Sequence, residues 1–321
     1  MSLFYVTSEM SAQGKTATCS SIANLSIKSG LNTSIVKIVT PSTAIDNAVS
    51  NYASVLPNDI GVVATQLINE ASAHLKDLKG SSDLVLVEGD SSVAIGDQKK
   101  FVAETDANVI VISDYVNGTD CAEYAKSFGA NLKGVILNFV PQYAETNVRE
   151  YLVPEFESLG VTILGTIAED RCLLSVSVAQ IAEHLGGRFF SGEDLPNVLV
   201  KNFMVGGFGM DPGEYVFSTK SDKCVVVRGD RPDVQMSALQ TDVSCFIMTN
   251  GIDPIEYVQY ESQEEKVPII VVEKDTLQTM DDVGKLQSEV SFDHPEKLER
   301  MSSLIGSSCL LYTSPSPRDR G

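Results

Sequence analysis

The sequence predicts an α/β protein: a doubly wound, mostly parallel sheet organised around a phosphate-binding loop, followed by a smaller α/β domain. Three observations predict it. Short runs of Val, Ile and Leu alternate with helical patterns, and several runs lack the polar alternation of a half-exposed strand, as expected where helices cover both faces of a parallel sheet. The first run passes through a polar loop into Gly14-Lys15-Thr16 and a helical stretch. A polar, aperiodic segment at 187–196 then breaks the pattern, and a second set of strands begins.

Taken in order, strands are expected at 3–7, 34–40, 84–88, 109–113, 134–139 and 161–167. Between them, Ala64, Leu67, Ile68, Ala71, Leu75 and Leu78 fall on one helical face that Gly80 closes. Thr119 caps a helix ending near Gly129, and 175–185 is another, closed by Gly186-Gly187. After the break come strands at 224–228, 245–249 and 268–273, with helices at 233–240 and 256–265. The expected domains are 1–190 and 195–305. Residues 309–321, CLLYTSPSPRDRG, are aperiodic and read as the translation of a sequencing adapter, so the natural chain is expected to continue past about Ser308.

In a doubly wound sheet the ligand sits at the carboxyl ends of the strands, here the loops after Val6, Lys37, Val87 and Leu137. The 3–16 segment has the order strand, loop, helix N-terminus. Free backbone amides and the positive helix end attract phosphate oxygens. Gly14 lets the backbone approach them, Lys15 reaches the terminal phosphates, and the Thr16 hydroxyl holds Mg²⁺. Ser11 lies in the same loop. The strict loop pattern asks for Gly five residues before Gly14, where this chain has Glu9. LVLVEGD, 84–90, is an apolar strand ending in acid, which makes Glu88 a candidate Mg²⁺ ligand; Asp46 is a second candidate. Lys37 interrupts an apolar strand, and Asn138 follows one, where its amide either reads a purine edge or simply closes a turn. In the second domain, Asp230 and Asp233 are candidate helix caps and Arg231 a candidate anion contact, against a purely structural turn. The glycines at 206, 207 and 209 do not make a G-x-G-x-x-G fingerprint.

Composition narrows the function. The formal net charge of −19 argues against nucleic acid as a partner. No run of about 18 apolar residues and no basic stretch ahead of the first apolar run are present, so neither a membrane span nor a signal peptide is expected. The six cysteines form no Cys-x-x-Cys pair and the three histidines are far apart, which gives neither a zinc site nor a disulfide framework and fits a reducing cytoplasm.

VTSEMSAQGKT (6–16), VLVEG (85–89) and GVILN (134–138) resemble the dethiobiotin synthetase branch of P-loop proteins. ILGTIAEDRCLLSVSVAQIAEHLGG (163–187), NFMVGG (202–207), GDRPD (229–233) and VPIIVVEKDT (267–276), in this order, resemble a DRTGG-type domain behind such a domain. That pairing occurs in stand-alone proteins and in the N-terminal region of long phosphate acetyltransferases. The resemblance implies ATP or a related nucleotide with Mg²⁺, held by Gly14, Lys15 and Thr16, with Glu88 near the metal and Asn138 near the base. It implies a regulatory or metabolite-sensing protein, with a small-molecule nucleotide or metabolite as ligand and a homo-oligomer as a possible state. The acetyl-transfer domain of the long enzymes is absent from the sequence. Ser8 where the synthetases have Gly, Ile38 where they have Pro, and Asp90-Ser91 in place of a glycine-rich turn all count against ligase chemistry. An ATP-dependent ligase and a truncated phosphate acetyltransferase stay as alternatives.

Overall fold

The computed structural model describes residues 1–39, 45–57, 60–66, 68–78, 80–117, 120–207, 213–288 and 290–308. The calls on Thr119, Leu67 and Gly209 lie outside them. The chain divides into two compact units: Met1–Asp170 together with the segment that starts at Phe292, and Arg171–Ser291.

The first unit carries seven strands: β1 (Ser2–Thr7), β2 (Thr33–Ile38), β3 (Gly61–Thr65), β4 (Leu84–Glu88), β5 (Asn108–Asp114), β6 (Leu132–Val140) and β7 (Ile163–Ala168). They form one sheet in the order β3-β2-β4-β1-β5-β6-β7, and every pairing is parallel. The helices are α1 (Lys15–Lys28), α2 (Ile45–Ala53), α3 (Ile68–Asp77), α4 (Ile95–Thr105) and α5 (Cys121–Lys126). A further helical segment runs from α6 (Glu145–Asn147) through a π turn (Val148–Leu152) into α7 (Val153–Ser158). Val85, Val87, Val109, Val111, Val135 and Leu137 form one buried layer with Phe101, Phe128 and Phe156, a core in which alternate residues of each strand face the same helices.

The expected helix face from Ala64 began too early. Ala64 lies in β3, paired in register with Lys37; β-branched Val62, Val63 and Thr65 favour the pleated edge, and the helix starts only at Ile68. The first unit also recovers the chain's far end. The helix Pro295–Ser308 belongs to it, and its buried Leu298, Met301 and Ile305 make an apolar stripe at helical spacing. Asn24 in α1 donates to Ser302 (3.0 Å) and Glu299 (3.3 Å), and Lys28 pairs with Glu299 at 2.7 Å.

The second unit has β8 (Val176–Ser177), β9 (Arg188–Ser191), β10 (Leu199–Val200), β11 (Asn202–Val205), β12 (Lys223–Arg228), β13 (Val243–Thr249) and β14 (Ile269–Val271). Its helices are α8 (Val178–Leu185), α9 (Gly213–Phe217), α10 (Pro232–Leu239), α11 (Glu256–Glu264) and α12 (Thr276–Ser288); α13 (Pro295–Ser308) follows. The five-stranded sheet runs β11-β12-β13-β14-β9, parallel except for β9 at the edge. Alternation along its strands is clean. Cys224, Val226, Cys245 and Ile247 face α8 and α12, while Val225, Val227, Phe246 and Met248 face α9, α10 and α11. The composition break placed the domain divide at 187–196. In the structure, α8 and β9 are already part of the second core, so the compact units divide at 170 and 171. Helix α8 starts later than 175 because a capping box fixes it: Ser177 Oγ accepts from the Gln180 amide and the Gln180 side chain accepts from the Ser177 amide.

Candidate functional site

Strand β1 is central, with β4 on one side and β5 on the other. The loop from Ser8 to Gly14 leaves its carboxyl end and turns into α1. Two register pairs flank that loop. Lys37 of β2 lies beside Glu88 of β4, and Asp114 of β5 lies beside Asn138 of β6. Register partners on neighbouring strands point to the same face, so the topology brings four polar side chains to one end of the sheet.

No side chain caps α1. Its first intrahelical bond runs from the Thr18 amide to the Gly14 carbonyl (3.0 Å). The amides of Lys15, Thr16 and Ala17 therefore have no acceptor within the helix, and they add to the positive end of its dipole. Gly14 stands at φ +89° and Ala12 at +59°. Lys15 does not extend into solvent: its ammonium donates to Ser8 Oγ (2.6 Å), which in turn donates to the Met10 carbonyl (2.5 Å). Burial lowers the Lys15 pKa, and the nearby carboxylates of Glu88 and Asp90 oppose that shift. The ammonium is thus partly desolvated and curled over its own loop.

On the β4 side, Thr16 Oγ1 donates to Glu88 Oε1 (2.7 Å). The Lys37 ammonium donates to Thr16 Oγ1 (3.1 Å) and lies 3.3 Å from the same Glu88 oxygen. Tyr52 donates to Glu88 Oε2, and Lys37 sits over the Tyr52 ring. Glu88 is buried, at 4% exposure, so its charge is held by these three partners. Burial first, then the Glu88 charge, push the Tyr52 hydroxyl and the Cys19 thiol well above their ordinary values. Both groups stay protonated here. Sequence reasoning missed Tyr52, which is 36 residues away from its partner and lies in a helix with no motif around it.

On the β5 side, Gln13 Nε2 donates to Asp114 Oδ2 (3.1 Å), and the Asp114 amide donates to Gln13 Oε1. Asn138 Nδ2 donates to the Gln13 carbonyl (3.0 Å). Asn138 was expected near a base; it is buried, and its contact here is with the loop backbone. Ser11 is exposed at the loop's crest. A shallow hollow of about 10 Å³, room for one water, adjoins the loop, walled by Glu9, Gln13, Ser113, Asn117 and Cys121. Asp46 lies in α2, but its side chain is outside the described residues.

Beneath the loop, three hydroxyls converge on one amide. Tyr5 (3.2 Å), Thr7 (3.0 Å) and Tyr124 (2.8 Å) donate to Gln98 Oε1, while Gln98 Nε2 donates to the Val93 carbonyl (2.7 Å). This network joins β1 to the segment that follows Glu88.

At the candidate anion site of the second unit, Arg231 is engaged by Asp233 through two bonds of 3.0 and 2.8 Å, and Arg228 by Asp230. The expected caps do not form: α10 has no side-chain cap, because both carboxylates turn to the neighbouring guanidinium, where charge-assisted pairing is stronger. Among the described residues no cluster of three or more His, Cys, Asp or Glu is placed to hold a metal, and no helix is long and apolar enough to cross a membrane.

A DRTGG domain model matches residues 180–286. The chain is 23% identical over 197 residues to a phosphate acetyltransferase of Deinococcus radiodurans, an alignment that takes in 57% of this chain and 27% of that protein; the chain thus matches about a quarter of its relative's length. Among solved structures, MinD cell division protein of Aquifex aeolicus aligns at a TM-score of 0.42 and 17% identity, over 54% of this chain and 84% of its own. The CBS and DRTGG domains of the regulatory region of Clostridium perfringens pyrophosphatase, complexed with the activator diadenosine tetraphosphate, align at 0.31 and 17%, over 36% and 48%. The DRTGG match lies inside the second compact unit, Arg171–Ser291.

Proposed function

We propose that the protein binds ATP or a related nucleotide with Mg²⁺ at the loop of its first unit, and that its second unit gives it a regulatory or metabolite-sensing role related to the N-terminal region of phosphate acetyltransferases. One observation carries the reading: the amides of Lys15, Thr16 and Ala17 are uncapped at the start of α1, and the Lys15 ammonium folds back over the same loop onto Ser8, an arrangement that suits a polyphosphate. The donor set also fits the metal. Mg²⁺ bound together with phosphates takes one or two hard oxygens from the protein, and the Thr16 hydroxyl and the Glu88 carboxylate lie side by side. When bound, the ion neutralises phosphate charge. Thr16 and Glu88 would hold it, the α1 amides and Lys15 would hold the phosphates, and Lys37 and Tyr52 orient Glu88. A cytoplasmic setting fits the unbridged thiols of Cys19, Cys224 and Cys245. The ligase alternative needs a lysine waiting for a substrate carboxylate, and the Lys37 ammonium is instead engaged by Glu88 and Thr16.

Calorimetry with Mg-ATP tests the proposal. Lys15→Ala should weaken binding by more than about 100-fold, the worth of a desolvated charge pair. Unchanged affinity would refute the assignment. The same chain, mixed with acetyl phosphate and coenzyme A, is expected to form no acetyl-CoA; turnover would favour a truncated acetyltransferase.

A further inference from the structure

We infer that Gln13 and Asn138 are positioning residues that hold the phosphate loop in its binding shape before any ligand arrives. The inference rests on the reading of that loop as a polyphosphate cradle, and it adds what fixes the cradle's form. Gln13 is flanked by two left-handed residues, Ala12 at φ +59° and Gly14 at +89°. A non-glycine residue in that region carries a steric penalty, so a loop without restraint would relax away from it.

The restraint comes from two directions. The Gln13 side chain uses both of its polar ends on one residue, taking the Asp114 amide and giving to the Asp114 carboxylate. That carboxylate cannot swing, because its other oxygen accepts from the Asn117 amide (2.8 Å) and side chain (2.7 Å). The Gln13 backbone carbonyl accepts from Asn138 (3.0 Å), which is 3% exposed. Asp114 and Asn138 are register partners on adjacent strands, so both anchors stand on the rigid sheet. In a trans peptide the C=O and N–H point in opposite directions. With the Gln13 carbonyl turned down to a buried Asn138, the Gly14 amide is turned outward, toward the mouth of the loop where phosphate oxygens would sit. Gly14 makes this approach possible: a Cβ there would stand 2.3 Å from Asn138 Nδ2.

The test uses the full chain, calorimetry with two probes, Mg-ATP and Mg-bound inorganic triphosphate, and amide hydrogen exchange of the ligand-free protein. Gln13→Ala and Asn138→Ala should each bind about tenfold more weakly, the size of a lost hydrogen bond or two. The loss should be equal for both probes, because a positioning role does not involve the base. Exchange of the loop amides should quicken in the ligand-free variants while the thermal midpoint stays near wild type.

The outcomes separate cleanly. Full affinity in Gln13→Ala, with binding lost in Lys15→Ala, overturns this inference alone. A loss confined to Mg-ATP in Asn138→Ala overturns it in favour of base reading. No binding of either probe by the wild type, or no effect of Lys15→Ala, overturns the cradle reading and this inference with it.

Discussion

In the first unit the polar side chains at the carboxyl ends of the strands find partners far away in the sequence. Thr16, Lys37 and Tyr52 all meet a buried Glu88, and Gln13 meets Asp114 across 101 positions. In the second unit the charges at the equivalent end pair two residues on: Arg228 with Asp230, and Arg231 with Asp233. The Arg228 and Asp230 side chains are 55% and 44% exposed, against 15% and 5% for Lys37 and Glu88. The same residue types thus do different work. A desolvated, long-range cluster exists only because the fold assembles it, and it keeps its charges out of bulk water. A solvated, local pair decorates a turn and is screened by water and salt.

The contrast is tested first where the effect should be largest. Glu88→Leu removes the carboxylate from Lys37 and leaves an ammonium without its counter-charge in a dry place. Unfolding by urea should show a loss of about 3 kcal/mol; a value near zero would mean that the cluster is solvated after all. The second unit should be sensitive to shape rather than charge. A Cβ on Gly229 would lie 1.8 Å from the Ile252 carbonyl oxygen, and backbone cannot give way. Gly229→Ala should therefore cost about 2 kcal/mol, read from the same denaturation curve.

A smaller effect is expected from pH. Burial pushes the Tyr124 hydroxyl up to about 12, and raises Tyr5 as well; a free tyrosine titrates near 10. The folded state holds these protons more tightly than the unfolded state does. Their contribution is fully present below about pH 10 and is lost as pH rises toward 12. Tyr124→Phe should flatten part of that alkaline decline, measured by thermal midpoints from pH 9 upward. The smallest effect belongs to Asp230→Ala, which should leave the denaturation midpoint where it was. A clear shift would show that the turn pair matters beyond its local geometry.

Much of the fold could be read from the sequence because parallel strands covered on both faces are written as unbroken apolar runs. The 84–88 and 109–113 runs match β4 and β5 closely. Strand β3 escaped because it is short, sits at the edge, and shares Ala64 with a helical pattern that continues beyond it. At the site, Lys15, Thr16 and Glu88 were legible from motif and strand position, and Lys37 from its oddity in an apolar strand. Gln13 and Tyr52 were not, since each acts through a partner that only the register of the sheet brings near. Asp230 and Asp233 misled for the opposite reason: their position suits a cap, but an arginine two residues before each competes successfully.

Helix α13 has a consequence for synthesis on the ribosome. The surface of α1 that it covers emerges near the start of translation, while its cover emerges only after the whole of the second unit has left the tunnel. Until then Asn24 and Lys28 wait without Ser302 and Glu299. A fragment stopped at residue 170 would keep all seven strands and the 8–14 loop but expose that flank permanently, so excising the first unit intact calls for grafting 292–308 back onto it.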